Sequence, residues 1–169
     1  TNRLYRSAHV VASAAEREIG TEEALNRALE RLEQALRFED HSPAHHQVIL
    51  IQLELDRADQ ALDYADDLLA RVSDDHKAQR LRGRVLRYLG RHEEAVEALQ
   101  TVVQRASDPL PARIELGDLL LLMGRPEPAK HEFENVLDQN DDSFESYLGR
   151  GRANSAMGHI LEALDDYND

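Results

Sequence analysis

The sequence predicts an all-α protein, an array of about five antiparallel helix–turn–helix units, on three observations. The first is a 34-residue clock. Gly83, Gly117 and Gly151 stand 34 residues apart, as do Gly90, Gly124 and Gly158, and alanine keeps the same time at Ala61, Ala95, Ala129 and Ala163. Six of the eight glycines fall on these two registers, and a fixed period of this length marks a repeat architecture. The second is apolar spacing of helical period between the marks. The third is proline placement: Pro43, Pro109, Pro111, Pro126 and Pro128 all fall at joints or in first turns, where a missing N–H costs nothing.

Taken in order, the first unit is expected over residues 3–41, with 3–19 as its first helix and ALERLEQALRFED (28–40) as its second; Ala28, Leu32 and Ala35 hold the small and apolar positions. The second unit, 42–75, is looser, because Ile49 and Asp56 stand at the two glycine registers while Ala61 keeps the alanine one. The third, 76–109, is the clearest. Within 76–89, Ala78, Leu81, Val85, Leu86 and Leu89 recur at i, i+3, i+7, i+8 and i+11, one face of a helix. Gly90-Arg91 ends that run, as a C-terminal glycine does. HEEAVEALQTVVQ follows with Ala95, Val96, Leu99, Val102 and Val103 on its own stripe, and Glu93 and Glu94 in the first turn, where the helix dipole favours acid. Units 110–143 and 144–169 repeat the plan, the last one incomplete. A mid-helix glycine costs about 1 kcal/mol relative to alanine, so three at one register predict that backbones approach closely there.

Composition narrows the function classes. The chain has 169 residues, 20 Lys+Arg against 33 Asp+Glu and a net charge of −13, which argues against nucleic acid or an anionic membrane as the main partner. Zero cysteines exclude a disulfide scaffold, a thiolate metal site and a cysteine nucleophile. No apolar run approaches the roughly 20 residues needed to cross a bilayer, so no membrane insertion is expected. An apolar content of 41% with only 5% aromatics and no Trp suits a helical assembly of Ala and Leu.

On these residues the sequence resembles the tetratricopeptide repeat family, whose unit is a 34-residue helix–turn–helix. That family carries a small residue at the eighth position, often Gly at the fifteenth, Ala at the twentieth and a large apolar residue near the twenty-fourth. Units starting near 76, 110 and 144 supply Gly83/Gly90/Ala95/Leu99, Gly117/Gly124/Ala129/Phe133 and Gly151/Gly158/Ala163/Tyr167. The resemblance implies a right-handed superhelical solenoid whose first helices line a concave groove that binds proteins or peptides. Two departures stand out: Arg82 and Arg150 occupy a position where the family usually has Leu.

Candidate chemistry is sparse. His41 and His45 have the i, i+4 spacing of a metal pair, but no HExxH motif or fixed carboxylate accompanies them, and a solvated joint is the expectation for His41, His45 and His46. The doublets Asp66-Asp67, Asp74-Asp75, Asp141-Asp142 and Asp165-Asp166 are expected as solvated charge or helix caps. DQNDDSFE (138–145) fails as a calcium loop because Ser143 holds the glycine position and Gly149 the closing glutamate position. GxSxG, GxxxxGK[ST] and GxGxxG after a strand are missing, and GRGRAN (149–154) falls inside a helix. The expectation is no catalytic residue, no metal and no cofactor.

Charge distribution is more informative. The unit 76–109 carries a net +3 between neighbours of −6 (42–75) and −5 (110–143). In its first helix Lys77, Arg80, Arg84 and Arg87 fall at i, i+3, i+7 and i+10, an arc of about 80°. They match the second, fifth, ninth and twelfth positions, which in the resembled family line the groove. Leu50, Leu53, Ile114, Leu121, Leu122 and Arg152 stand at neighbouring groove positions. Two family-specific chemistries are not matched. The carboxylate clamp lacks its Asn, with Glu115 in that place, and the sugar-transferase Asn ladder is replaced by Gln47, Leu81, Glu115 and Gly149.

The expected function is thus a non-catalytic protein–protein interaction scaffold. Its groove, marked by Lys77, Arg80, Arg84, Arg87, Ile114, Leu121 and Arg152, would receive a protein or peptide with an acidic segment. The competing reading has the basic patch balancing acidic neighbours such as Glu115 and Asp118. An alternative function is a regulatory or targeting arm of a larger enzyme or of a bacterial envelope assembly or polysaccharide export protein. The start at Thr1 and the stop at Asp169 without a polar capping element predict a longer native protein. An uncapped end also predicts stacking on another copy. The compartment stays open between cytoplasm and periplasm.

Overall fold

A computed structural model describes residues 20–37 and 42–168. Among them the chain forms nine helices and no strand: α1 (Glu22–Leu36), α2 (Ser42–Glu54), α3 (Ala58–Arg71), α4 (His76–Tyr88), α5 (His92–Arg105), α6 (Leu110–Leu122), α7 (Pro126–Leu137), α8 (Phe144–Met157) and α9 (Ile160–Asn168). The all-α repeat architecture is the one that the glycine and alanine clock predicts. The expected first helix over 3–19 lies outside the described residues, as does His41. By contact the chain divides into two compact units, one ending at Leu89 and the other beginning at Gly90.

In the first unit α1 packs on α2, α2 on α3 and α3 on α4, and the two first-type helices α2 and α4 also touch. Leu25, Ala28, Leu29 and Leu32 of α1 meet Ala44, Val48 and Ile51 of α2 in one buried cluster. The helix expected over 28–40 starts at Glu22. Gly20, with φ +70°, turns the chain, and the Thr21 Oγ1 accepts from the Ala24 N–H at 3.3 Å as N-cap. Arg37 caps its other end.

The second unit runs α5 on α6, α6 on α7, α7 on α8 and α8 on α9, with α6 also against α8. Ala95, Ala129 and Ala163 are all buried, so the alanine register faces the interior of each hairpin. Pro126 opens α7 and Pro111 lies in the first turn of α6.

The two glycine registers have different jobs. Gly90, Gly124 and Gly158 have φ of +74°, +70° and +83° and turn the chain out of the first helix of each hairpin. Asp56 stands at that register in the looser unit and takes φ +59°, the one positive-φ residue other than glycine among those described; Asp tolerates this region better than most. Its carboxylate accepts from the Tyr88 hydroxyl at 2.6 Å, which holds the α2–α3 turn against the end of α4 and raises the Tyr88 pKa. The mid-helix register corrects an expectation. Gly117 and Gly151 admit an aromatic ring rather than a neighbouring backbone: a Cβ on Gly117 would lie 2.6 Å from Cζ of Phe133, and one on Gly151 2.5 Å from Cε1 of Tyr167. Gly83 is buried in α4.

Candidate protein-interaction surface

The helix α4 begins at a cap that does two things. The Asp75 carboxylate accepts from the Ala78 N–H at 2.9 Å and from Nε2–H of His46 on α2 at 2.8 Å. His46 and its neighbour His45 are each only 5% exposed. The expectation of a solvated joint is therefore wrong for both, because α2 extends through them and turns them against α3 and the α4 cap. His45 shares a 2.6 Å hydrogen bond with the Tyr64 hydroxyl of α3. Of the two expectations for the acidic doublets, Asp75 meets the helix-cap one, with a side chain 7% exposed rather than solvated; Asp166, 5% exposed, meets neither.

Burial outweighs the Asp75 contact and holds the His46 pKa below the ordinary histidine value. The unfolded chain then binds a proton that the folded one resists. The stability His46 contributes is complete above its unfolded value of about 6.5 and is lost below it, as the pH falls through the lower folded pKa. The melting temperature of the parent is expected to drop more between pH 7.5 and pH 5 than that of His46→Gln, which keeps a donor for Asp75. Equal pH slopes would remove His46 from the cause.

From this anchored start α4 presents its four basic residues along one face. Lys77, Arg84 and Arg87 are exposed and Arg80 is half-buried. Among the described residues no carboxylate lies within 4.0 Å of Lys77, Arg84 or Arg87. Most other cations of the two units are engaged. Arg57 donates to Asn26 Oδ1 at 3.0 Å, Arg82 pairs with Asp66, Arg91 with Glu94 at 2.7 Å, and Arg113 with Glu132 at 2.7 Å. Lys130 pairs with Glu162 at 2.9 Å and Arg150 with Asp166. One helix face thus carries three cations without a carboxylate partner in a chain of net charge −13. On α2, at the positions 34 residues earlier, Leu50 and Leu53 are half-buried beside His46.

The other expected groove residues belong to the second unit. Ile114 and Leu121 are half-buried on α6, Leu122 beside them is 63% exposed, and Leu148 of α8 is 41% exposed. Arg152 of α8 pairs with Asp118 of α6 at 3.1 Å. The two arginines at the Leu position also find partners: Arg82 reaches back to Asp66 on α3, and Arg150 reaches forward to Asp166 on α9. Asp166 is 5% exposed and also accepts from Asn154 Nδ2 at 2.9 Å. It holds Arg150 charged, raising its pKa.

Sequence reasoning missed the polar interior of the first unit and the packing role of Gly149. Gly149 lies two residues before the register glycine Gly151, so the 34-residue clock does not flag it. No helix among the described residues is long and apolar enough to cross a membrane.

Two sequence models, both described as tetratricopeptide repeat, match residues 49–110 and 86–149. No curated protein matches the chain. Among solved structures it is similar to PilF of Pseudomonas aeruginosa, with a TM-score of 0.84 at 20% identity over 99% of this chain and 75% of that one. A tetratricopeptide repeat protein from Parabacteroides merdae superposes with a TM-score of 0.77 at 20% identity over 98% of this chain, which spans 65% of that protein. MamA gives 0.76 at 14% identity over 97% of this chain and 88% of the other. At these identities the likeness speaks for the fold, a helical-repeat solenoid.

Proposed function

The chain belongs to the tetratricopeptide repeat family, and from that premise we propose that it is a non-catalytic scaffold whose α4 face docks an acidic segment of a partner protein. The observation that carries this reading is the set Lys77, Arg84 and Arg87, exposed on one face and without an ion pair among the described residues. Arginine suits the task because its planar fork meets a carboxylate at two points. Half-buried Leu50 and Leu53 on the adjoining first-type helix supply apolar area beside the charges. A face held by packed helices loses little entropy on binding, so a few charge pairs and leucine contacts suffice for useful affinity.

The test compares capture from the native lysate by the parent and by Lys77→Glu/Arg84→Glu/Arg87→Glu, with helicity confirming that the variant folds. The captured protein is identified and its binding segment mapped by truncation. The reading predicts that binding maps to an acidic segment, weakens at least tenfold in the variant, and falls with added salt. A partner retained at unchanged affinity by the folded variant would overturn it.

A further inference from the structure

Between α7, α8 and α9 the second unit holds a pocket of about 250 Å³, lined by charged side chains and one amide. At the positions 34 residues earlier the same space is apolar. Arg150 and Asn154 of α8 stand at the register of Leu116 and Leu120 of α6, and Lys130 of α7 at that of Val96 of α5. Those three apolar side chains are 1, 7 and 9% exposed. Here their places are taken by polar groups, which are costly to bury unless each finds a partner.

Most of them do. Asp166 of α9 accepts from Nε of Arg150 at 2.8 Å and from Nδ2 of Asn154 at 2.9 Å. Lys130 Nζ donates to Glu162 of α9 at 2.9 Å. These two ion pairs balance, which leaves Glu134 and Asp165 as surplus negative charge on the lining. Glu134 lies 4.0 Å from Lys130, beyond hydrogen-bond reach. A carboxylate only accepts, so the amide nitrogen of Asn154 must face Asp166 and its Oδ1 must point elsewhere. Asn154 is 2% exposed, and that Oδ1 has no donor among the described residues.

Surplus charge and the unmet acceptor call for the same complement, a cation that carries N–H groups. We propose that this pocket binds the ammonium group of a small organic amine, which donates to Asn154 Oδ1 and is balanced by Glu134 and Asp165. Its volume lies below the roughly 300–1,000 Å³ of sites for drug-sized ligands, which limits the occupant to a short amine or one lysine side chain. Among the described residues no group of three histidines or carboxylates is arranged to hold a metal ion. The site lies within the second unit and does not depend on the α4 face.

The test titrates the full chain with putrescine and, in a second arm, with lysine blocked at both ends. Binding is followed by the NMR signals of the Asn154 side-chain amide and of the α7–α9 backbone. These signals are expected to shift saturably. Affinity should fall at least tenfold in Asn154→Leu, which restores the residue found at Leu120, and in Glu134→Gln, and should weaken with added salt. Helicity confirms that each variant folds. Tighter binding of putrescine assigns the ammonium to a free amine, and tighter binding of blocked lysine assigns it to a protein side chain. Shifts spread over the acidic surface without saturation, unchanged affinity in the folded variants, or no shift with either amine overturns the proposal. Equal shifts at the same residues with magnesium would give the site to a metal ion and overturn it as well.

Discussion

Replacing Phe133 with alanine is expected to lower the stability of the second unit by about 3–5 kcal/mol, the top of the range for a buried aromatic. The ring is 0% exposed and sits where α6, α7 and α8 meet. The end of the ring lies against Gly117 of α6 and Gly149 of α8. Glycines have no side chains to fold into the cavity, so the space stays empty and the packing energy is lost in full. Because whole domains are stable by only about 5–15 kcal/mol, such a loss takes much of the unit's margin. Denaturant unfolding followed by helicity measures it. Phe133→Leu should retain well over half of the lost stability, and an alanine variant within 1 kcal/mol of the parent would show that the ring is not the keystone of these helices.

Gly149→Ala is the second large effect, and its sign runs against helix propensity. In a helix interior, alanine is favoured over glycine by about 1 kcal/mol. At this position the added Cβ would overlap the Phe133 ring, whose Cζ, Cε1 and Cε2 are also the atoms that a Cβ on Gly117 would meet, so the ring is hemmed in by two helices. A net destabilisation of about 1–3 kcal/mol is expected, the usual cost of overpacking. The double variant Phe133→Leu/Gly149→Ala should be milder than the sum of its parts, since the smaller side chain vacates the contested space. A stabilised Gly149→Ala protein, or strictly additive changes, would contradict this packing.

Much of the fold was legible because repeats announce themselves by backbone need. A chain-reversing turn at positive φ favours Gly90, Gly124 and Gly158, and full burial favours the small side chains of Ala95, Ala129 and Ala163; both demands recur every 34 residues. Helices α4 and α5 fall within a residue of where apolar spacing put them. What was hidden is what periodicity does not encode. Asp56 performs the turn with a side chain, so it reads as a break in the pattern while its φ of +59° keeps the pattern intact. The close approach at Gly117 and Gly151 comes from the rings of Phe133 and Tyr167, because a glycine signals vacant space without naming its occupant. His45 and His46 look solvated in a polar stretch, and only tertiary packing buries them; Asp75 is legible as a helix cap, but its burial against His46 is not. The basic stripe on α4 was legible as a stripe, since helical spacing fixes its face. That Lys77, Arg84 and Arg87 have no carboxylate within 4.0 Å among the described residues, while Arg152 is held by Asp118, depends on distances between helices and so was not.

The reading of that stripe is tested most directly by arginine-directed labelling of the folded chain, with and without the partner it captures, read residue by residue by mass spectrometry. Arg84 and Arg87 are predicted to lose reactivity when the partner is bound, while exposed Arg37, at the C-terminal cap of α1, keeps its own. Unchanged labelling at Arg84 and Arg87 in the bound state would place the partner elsewhere and contradict the assignment of α4 as the recognition face.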